Sequence, residues 1–302
     1  MRVLELKITD TLAERKVLSL LRSELCLSSS LVARIKLIEN GITLNGLPVH
    51  TNERVHSGDL LCVVIGHSSE YCGEGFTMGL PFGVLYEDED ILIIDKPAGA
   101  AVHGSRYDDE VQSIEACVNA YYGNQYMFHP VSRLDRGTSG VMAIAKNGYM
   151  HERLAALLHS SGYERTYLGI AEGKFTEQSG TISLPIGRAE GSAIKRCIKA
   201  DGAAAVTHYR VLSYSSGYSL LEFRLETGRT HQIRLHMSAI GHPLAGDWLY
   251  GTENRDLIGR PALHSSRLVF LHPLLDKKIA ISCGLPQDMA KLASDFSFFT
   301  RA

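Results

Sequence analysis

The sequence predicts an α+β fold: a mixed, largely antiparallel sheet preceded by a smaller α+β unit. Three observations carry this. Apolar runs of strand length recur between residues 84 and 283, joined by turn-rich segments. Helical periodicities are scattered among them rather than dominant. The stretch GHSSEYCGEGFTMG at 66–79 is rich in Gly and Ser, lacks periodicity and reads as a linker. The expected division is therefore a first unit at 1–66, a linker at 67–80 and a main unit at 81–302.

In the first unit, Leu18, Leu21 and Leu25 recur at helical spacing. Ser28, Ser29 and Ser30 offer an N-cap to a second helix marked by Leu31, Ile35 and Ile38, with Gly41 suited to its C-terminal cap. That helix leaves Arg34 and Lys36 to solvent. In ITLNGLPV, Asn45-Gly46 between apolar runs predicts a type I′ hairpin, and DLLCVVI closes the unit as a strand. Two helices followed by a hairpin resemble the S-four-like RNA-binding domain, which makes Arg34 and Lys36 candidate RNA contacts. In the main unit, VLYEDEDILIIDKP reads as a strand, an acidic turn and a strand, and VMAIAKN as a further strand. Met150, Leu154, Leu157 and Leu158 share a helical face. Strands follow at RTYLGIAEG, THYRVLSYS, YSLLEFRLETG, SRLVFLHP and KKIAISC, with a helix starting near Thr230 that aligns Ile233, Met237 and Ile240.

Composition narrows the function. Lys+Arg at 31 against Asp+Glu at 33, a net charge of −2, argues against a polybasic binder but leaves room for a local basic groove. The opening MRVLELKITD is too charged for a secretory signal, and no apolar run reaches the ~18 residues of a membrane span. The six cysteines lack a CxxC pair and the thirteen histidines lack HExxH, so reduced thiols and no metal site are expected.

Two dense polar stretches carry the candidate chemistry. RLDRGTSG, from Arg133 to Gly140, holds a carboxylate among hydroxyls and glycines. In the plainer reading Asp135, Thr138 and Ser139 cap a turn. An aspartic protease needs a second Asp-Thr/Ser-Gly copy, and Arg136 interrupts this one; a GxSxG elbow is absent. The second stretch, LETGRTHQIRLHMSAIGHPLAGDWLYG, places Arg229, His231, Arg234 and His236 at a helix start, where they are expected to form a cationic surface for phosphate or carboxylate. Tyr167 sits in a strand, and Lys195, Arg196 and Lys199 form a basic segment that reads as a solvated surface or a phosphate-contacting loop.

In order, IDKPAGAAVHG, RLDRGTSGVMAIAKN, RTYLGIAEG, LETGRTHQIRLH, GHPLAGDWLYG and ALHSSRLVFLHP are similar to the RluA-type pseudouridine synthases over about residues 85–275. The resemblance implies the pseudouridine synthase fold and the isomerisation of uridine in structured RNA, ribosomal or transfer. It implies no cofactor or metal; the unpaired cysteines and the charged opening lead to an expected cytoplasmic location, and a monomer is expected. It makes Asp135 the essential carboxylate, acting either at C1′ as a nucleophile or on a C2′ proton. It makes Tyr167 the ring beneath the base, Arg229 the basic partner of the carboxylate and Arg133 the side chain that fills the space of a flipped nucleotide. His231 and Arg234 become RNA contacts. Ser132 stands where the family usually has His, with His129 three residues earlier, and this bears on target choice. The alternative is a noncatalytic RNA-binding or chaperone protein on the same fold.

Overall fold

The computed structural model describes residues 2–66, 81–104, 113–122, 128–158, 160 and 162–295; the expected linker lies outside them. The first unit contains β1 (Arg2–Lys7), α1 (Val17–Ser23), α2 (Ser29–Ile35), β2 (Ile42–Leu44), β3 (Leu47–Pro48) and β4 (Leu60–Gly66). Its sheet runs β1-β4-β2-β3. Val17, Leu20, Leu21, Leu31 and Ile35 from the helices meet Leu61, Val63 and Ile65 of β4 in one apolar core. Ser28 caps α2 by accepting from the Leu31 amide, and Asn45 and Gly46 turn the hairpin at φ 52° and 84°. Two local expectations shift. The helix ends at Ile35, before Ile38. The left-handed residue after it is Asn40 rather than Gly41, and Gly41 is required because a Cβ there would overlap the Ile35 carbonyl oxygen.

The main unit continues with β5 (Gly83–Glu87), β6 (Ile91–Lys96), α3 (Ile114–Tyr121), β7 (His129–Pro130), β8 (Ser139–Ala145), α4 (Gly148–Leu157) and β9 (Tyr163–Glu172). Then come β10 (Ser179–Ser183), β11 (Ile186–Arg188), β12 (Arg196–Ile198), β13 (Val206–Ser215) and β14 (Tyr218–Leu225). Last are α5 (Gln232–Ala239), β15 (Leu263–Leu271), β16 (Lys278–Ser282) and α6 (Gln287–Asp295). Ten strands form one sheet along β10-β13-β14-β9-β15-β8-β6-β5, with β16 on β15 and β7 on β8. Among the described residues only β8 and β15 pair in parallel, His264 opposite Ser139 and Ser265 opposite Gly140. The centre is apolar on both faces, as continuous runs such as ILII demand. Leu92, Ile94, Met142 and Ile144 join α3 and α5 through Ile114, Val118, Ile233 and Met237. Ile91, Ile93, Val141 and Ala143 face the other way, against Met150 and Leu154 of α4.

The two units touch. Arg2 Nη2 lies 3.1 Å from Asp90, Ser28 Oγ donates to Glu152 at 2.6 Å, and Tyr149 is buried in the core of the first unit. No helix among the described residues is long and apolar enough to cross a membrane.

Candidate active site

The segment between β7 and β8 is held by its backbone. Lys96, at the end of β6, is fully buried. Its ammonium donates to the carbonyls of Pro97 and Thr138 at 2.8 Å and of Arg136 at 3.3 Å. Burial pushes its pKa down to about 8, with Asp135 opposing the shift. Arg260 donates to the Gly137 carbonyl at 2.9 Å and is itself held as a fork by Asp288. The Gly99 amide donates to Arg136 at 2.7 Å. Gly140 has φ +109°, and a Cβ there would overlap the Ser265 carbonyl oxygen. Its smallness therefore serves the β8–β15 pairing.

This leaves the Asp135 side chain outside the turn's own bonding. Its carboxylate makes no hydrogen bond among the described residues, and its nearest cation is Arg234 Nη1 at 4.0 Å. Arg234 rises from α5 and is gripped by Asp247 through Nε and Nη2 at 2.8 and 2.7 Å. Asp247 is wholly buried and also accepts the amides of Leu249 and Tyr250. The expected carboxylate partner, Arg229, does not have that place. It is exposed, and its Nε donates to the Ala204 carbonyl at 3.0 Å. Arg229 precedes the helix, whereas Arg234 lies inside its first turn and is directed at the loop.

The expected cationic helix face is also corrected. His236 is buried and bonded to Thr207 Oγ1 and the Leu184 carbonyl, both at 2.9 Å, and burial lowers its pKa. His231 is a half-buried, left-handed residue before α5, sharing a 2.9 Å hydrogen bond with Tyr250. Burial is the largest influence on its ring and lowers its pKa, with Asp135 opposing.

Tyr167, on β9, is 5% exposed. Burial raises its phenol pKa against the charge of Arg165, and Asp135 adds to the rise. A cleft of about 800 Å³ is lined by Arg133, Asp135, Arg165, Tyr167, His231 and Arg234 among others. Arg133 is exposed there. His129 lines the same cleft, its ring stacked on His151 with centroids 5.4 Å apart. Burial lowers the His129 pKa, and His151 and then Arg34 add to the effect. Arg34 of the first unit lies against Gly148, where a Cβ would come 3.4 Å from its Nη2, while Lys36 lines a separate hollow with Asn40 and His50.

Sequence reading missed Lys96, Asp247 and Arg260. The first two had a faint signal, a lysine closing an apolar strand and an aspartate between Gly246 and Trp248. One acidic cluster, Asp88, Asp90 and His272, has metal-ligand spacing among the described residues. There His272 Nδ1 accepts the Leu274 and Leu275 amides. The other ring nitrogen, Nε2, is buried 3.3 Å from Asp88.

Residues 90–239 match the family described as RNA pseudouridylate synthase. An uncharacterised RNA pseudouridine synthase, YjbO, of Bacillus subtilis (strain 168) is 38% identical over 272 residues, 89% of this chain and 95% of the relative. Ribosomal large subunit pseudouridine synthase D of Yersinia pestis is 34% identical over 280 residues, covering 86% and 85%. The solved structure of human RNA pseudouridylate synthase domain containing 4 aligns with a TM-score of 0.57 at 24% identity, covering 71% of this chain and 93% of that one, a likeness of fold. With a relative this similar along nearly its whole length, and with the recurring motifs converging on one cleft, the chain belongs to the RNA pseudouridine synthase family of RluA type, isomerases that act on uridines in RNA.

Proposed function

We propose that Asp135 is the catalytic carboxylate, that Arg234 orients it, and that Tyr167 supplies the ring face and hydroxyl beneath the flipped base. The observation that carries this is the carboxylate itself. It belongs to a loop whose Arg136, Gly137 and Thr138 carbonyls are held by Lys96 and Arg260, yet its own oxygens accept no hydrogen bond among the described residues and stand beside a buried Arg–Asp fork. A neighbouring guanidinium favours the ionised form that either route requires, attack at C1′ or removal of a C2′ proton. The base leaves C1′ through N1, turns in the cleft and rejoins through C5. A uridine in a stem reaches this depth only by leaving the stack. Arg133, exposed on the cleft and without a hydrogen bond or ion pair among the described residues, is suited to fill the vacated space.

The proposed substrate is ribosomal RNA, because relatives at 34–37% identity are named for the large ribosomal subunit. The same reading makes the protein cytoplasmic and monomeric. Residues 1–66 act as an S-four-like tether whose Arg34 extends the RNA path into the cleft; Arg229 and His231 line its rim. Asp135→Asn should abolish pseudouridine formation in total ribosomal RNA, with thermal stability and RNA affinity largely retained. Near-wild-type turnover by that variant would refute the assignment. Mapping pseudouridines in cells with and without the protein identifies the uridines, and loss of sites confined to transfer RNA would redirect the substrate assignment.

A further inference from the structure

Arg165 is a nine-tenths buried arginine without a counter-charge among the described residues. It alternates along β9 between buried Tyr163 and Tyr167, with Glu164 and Thr166 more open on either side. Only 9% of the residue is exposed. Its Nε is shut off from solvent with no hydrogen-bond partner. Among the described residues its side chain makes no hydrogen bond or ion pair, and yet it lines the cleft that holds Asp135. Gly228 lies against it, where a Cβ would come 3.1 Å from Nη1. Every other buried arginine described has an anion: Arg234 has Asp247 and Arg260 has Asp288. An arginine nine-tenths buried in a cleft wall, its Nε desolvated and unpaired, is stabilised when an anion reaches it.

We propose that Arg165 is the phosphate-binding residue for the target nucleotide, gripping a phosphodiester oxygen next to the flipped uridine while Tyr167, two residues on, meets the base. A uridine nucleotide brings one such anion with its ribose, and a guanidinium fork matches its oxygens. The missing partner among Arg165's neighbours is then the substrate. This assignment rests on the reading that uridine enters beside Asp135. It adds that strand β9 grips phosphate and base at once, so that the base is presented in register with the carboxylate. Gly228 keeps the wall open where a side chain would fill the anion's approach.

The test uses the intact chain with uridine, uridine 5′-monophosphate and uridine 3′-monophosphate as probes, binding being followed by phosphorus NMR and calorimetry. At least one monophosphate should bind wild type roughly tenfold or more tightly than uridine, the scale of a charge-assisted contact. Arg165→Gln should erase that preference, leave uridine affinity unchanged and leave the melting temperature unchanged or raised, because an unpaired buried charge has been removed. Arg165→Lys should keep part of the preference, and it replaces the Gln variant in the comparison if that variant does not fold. An unaltered monophosphate preference in the variants overturns the proposal, as does a large fall in melting temperature in both, which would mark a structural role. Asp135→Asn separates the two readings: it should retain the monophosphate preference while losing turnover. Full turnover by Asp135→Asn would sink the catalytic assignment and leave the phosphate site standing on the binding data alone.

Discussion

Arg229 and Arg234 lie five residues apart in TGRTHQIR, and they do different work because one precedes α5 and the other belongs to it. Arg234→Gln should therefore be severe. It strands the fully buried Asp247 and removes the cation beside Asp135. A loss of about 3–5 kcal/mol is expected in denaturant unfolding, with turnover falling too. Adding Asp247→Asn should restore much of that stability but not the activity, because the pair no longer charges the site. Arg229→Gln, at an exposed position, should change stability by less than about 0.5 kcal/mol and mainly raise KM. Tyr167→Phe should reduce product formation more than RNA binding if the hydroxyl takes part in proton transfer; equal losses in single-turnover and affinity measurements would assign the ring to packing alone. The RLDRGTSG segment showed that a carboxylate stood among turn-forming residues. Which arginine faced it was not legible, since that depends on where a helix far later in the chain, Gln232–Ala239, comes to rest.

At the scale of elements, the pairing of β8 with β15 and the lysine at the end of β6 build the floor of the site. Gly140→Ala should cost at least about 3 kcal/mol, because it combines a left-handed φ with backbone overlap at Ser265. A large drop in melting temperature is the readout. Lys96 gives a pH signature. Its pKa is about 8 when folded against 10.5 for the free side chain. Between those values the unfolded chain holds a proton that the folded chain has released. Stability from this group therefore rises with pH across that window, by up to about 3 kcal/mol, and the full penalty of the buried charge persists below pH 8. The difference in unfolding free energy between wild type and Lys96→Met should grow in favour of wild type from pH 7 to pH 10. A flat difference would place the amine in a more polar setting than its burial indicates. The main strands were legible because their apolar runs are long. β1 and α3 were not read, RVLELK being short and charge-interrupted, and α3 offering only Ile114, Cys117 and Val118 as its buried face.

Across the whole molecule, the first unit does more than precede the cleft. Arg2, Ser28 and the pocket around Tyr149 bind it to the main sheet, so deleting it would uncover apolar surface. A single charge is the cleaner probe. Arg34→Ala should raise KM for long RNA and spare kcat on a substrate too short to reach it, since a contact made equally in ground and transition states does not alter the chemical step. The slope of log binding constant against log salt should fall by roughly 0.7–0.9, one phosphate contact. Lys36→Ala, lining a separate hollow, should change the slope less. Equal slopes for wild type and Arg34→Ala would remove Arg34 from the RNA path.

By itself the sequence determined the α+β class, the order of the main strands, the Asn45-Gly46 hairpin, a serine cap within Ser28, Ser29 and Ser30, and the motifs that carry the family resemblance. These depend on local periodicity, turn chemistry and residue spacing, which a one-dimensional chain displays. Tertiary structure decided the rest: Arg234 in place of Arg229 beside Asp135, His236 in the interior, Lys96 beneath the loop, and Arg165 buried at the cleft wall without an anion. Each depends on which charges burial brings together, and a charge's partner and its exposure are properties of the packed chain rather than of its neighbours in sequence.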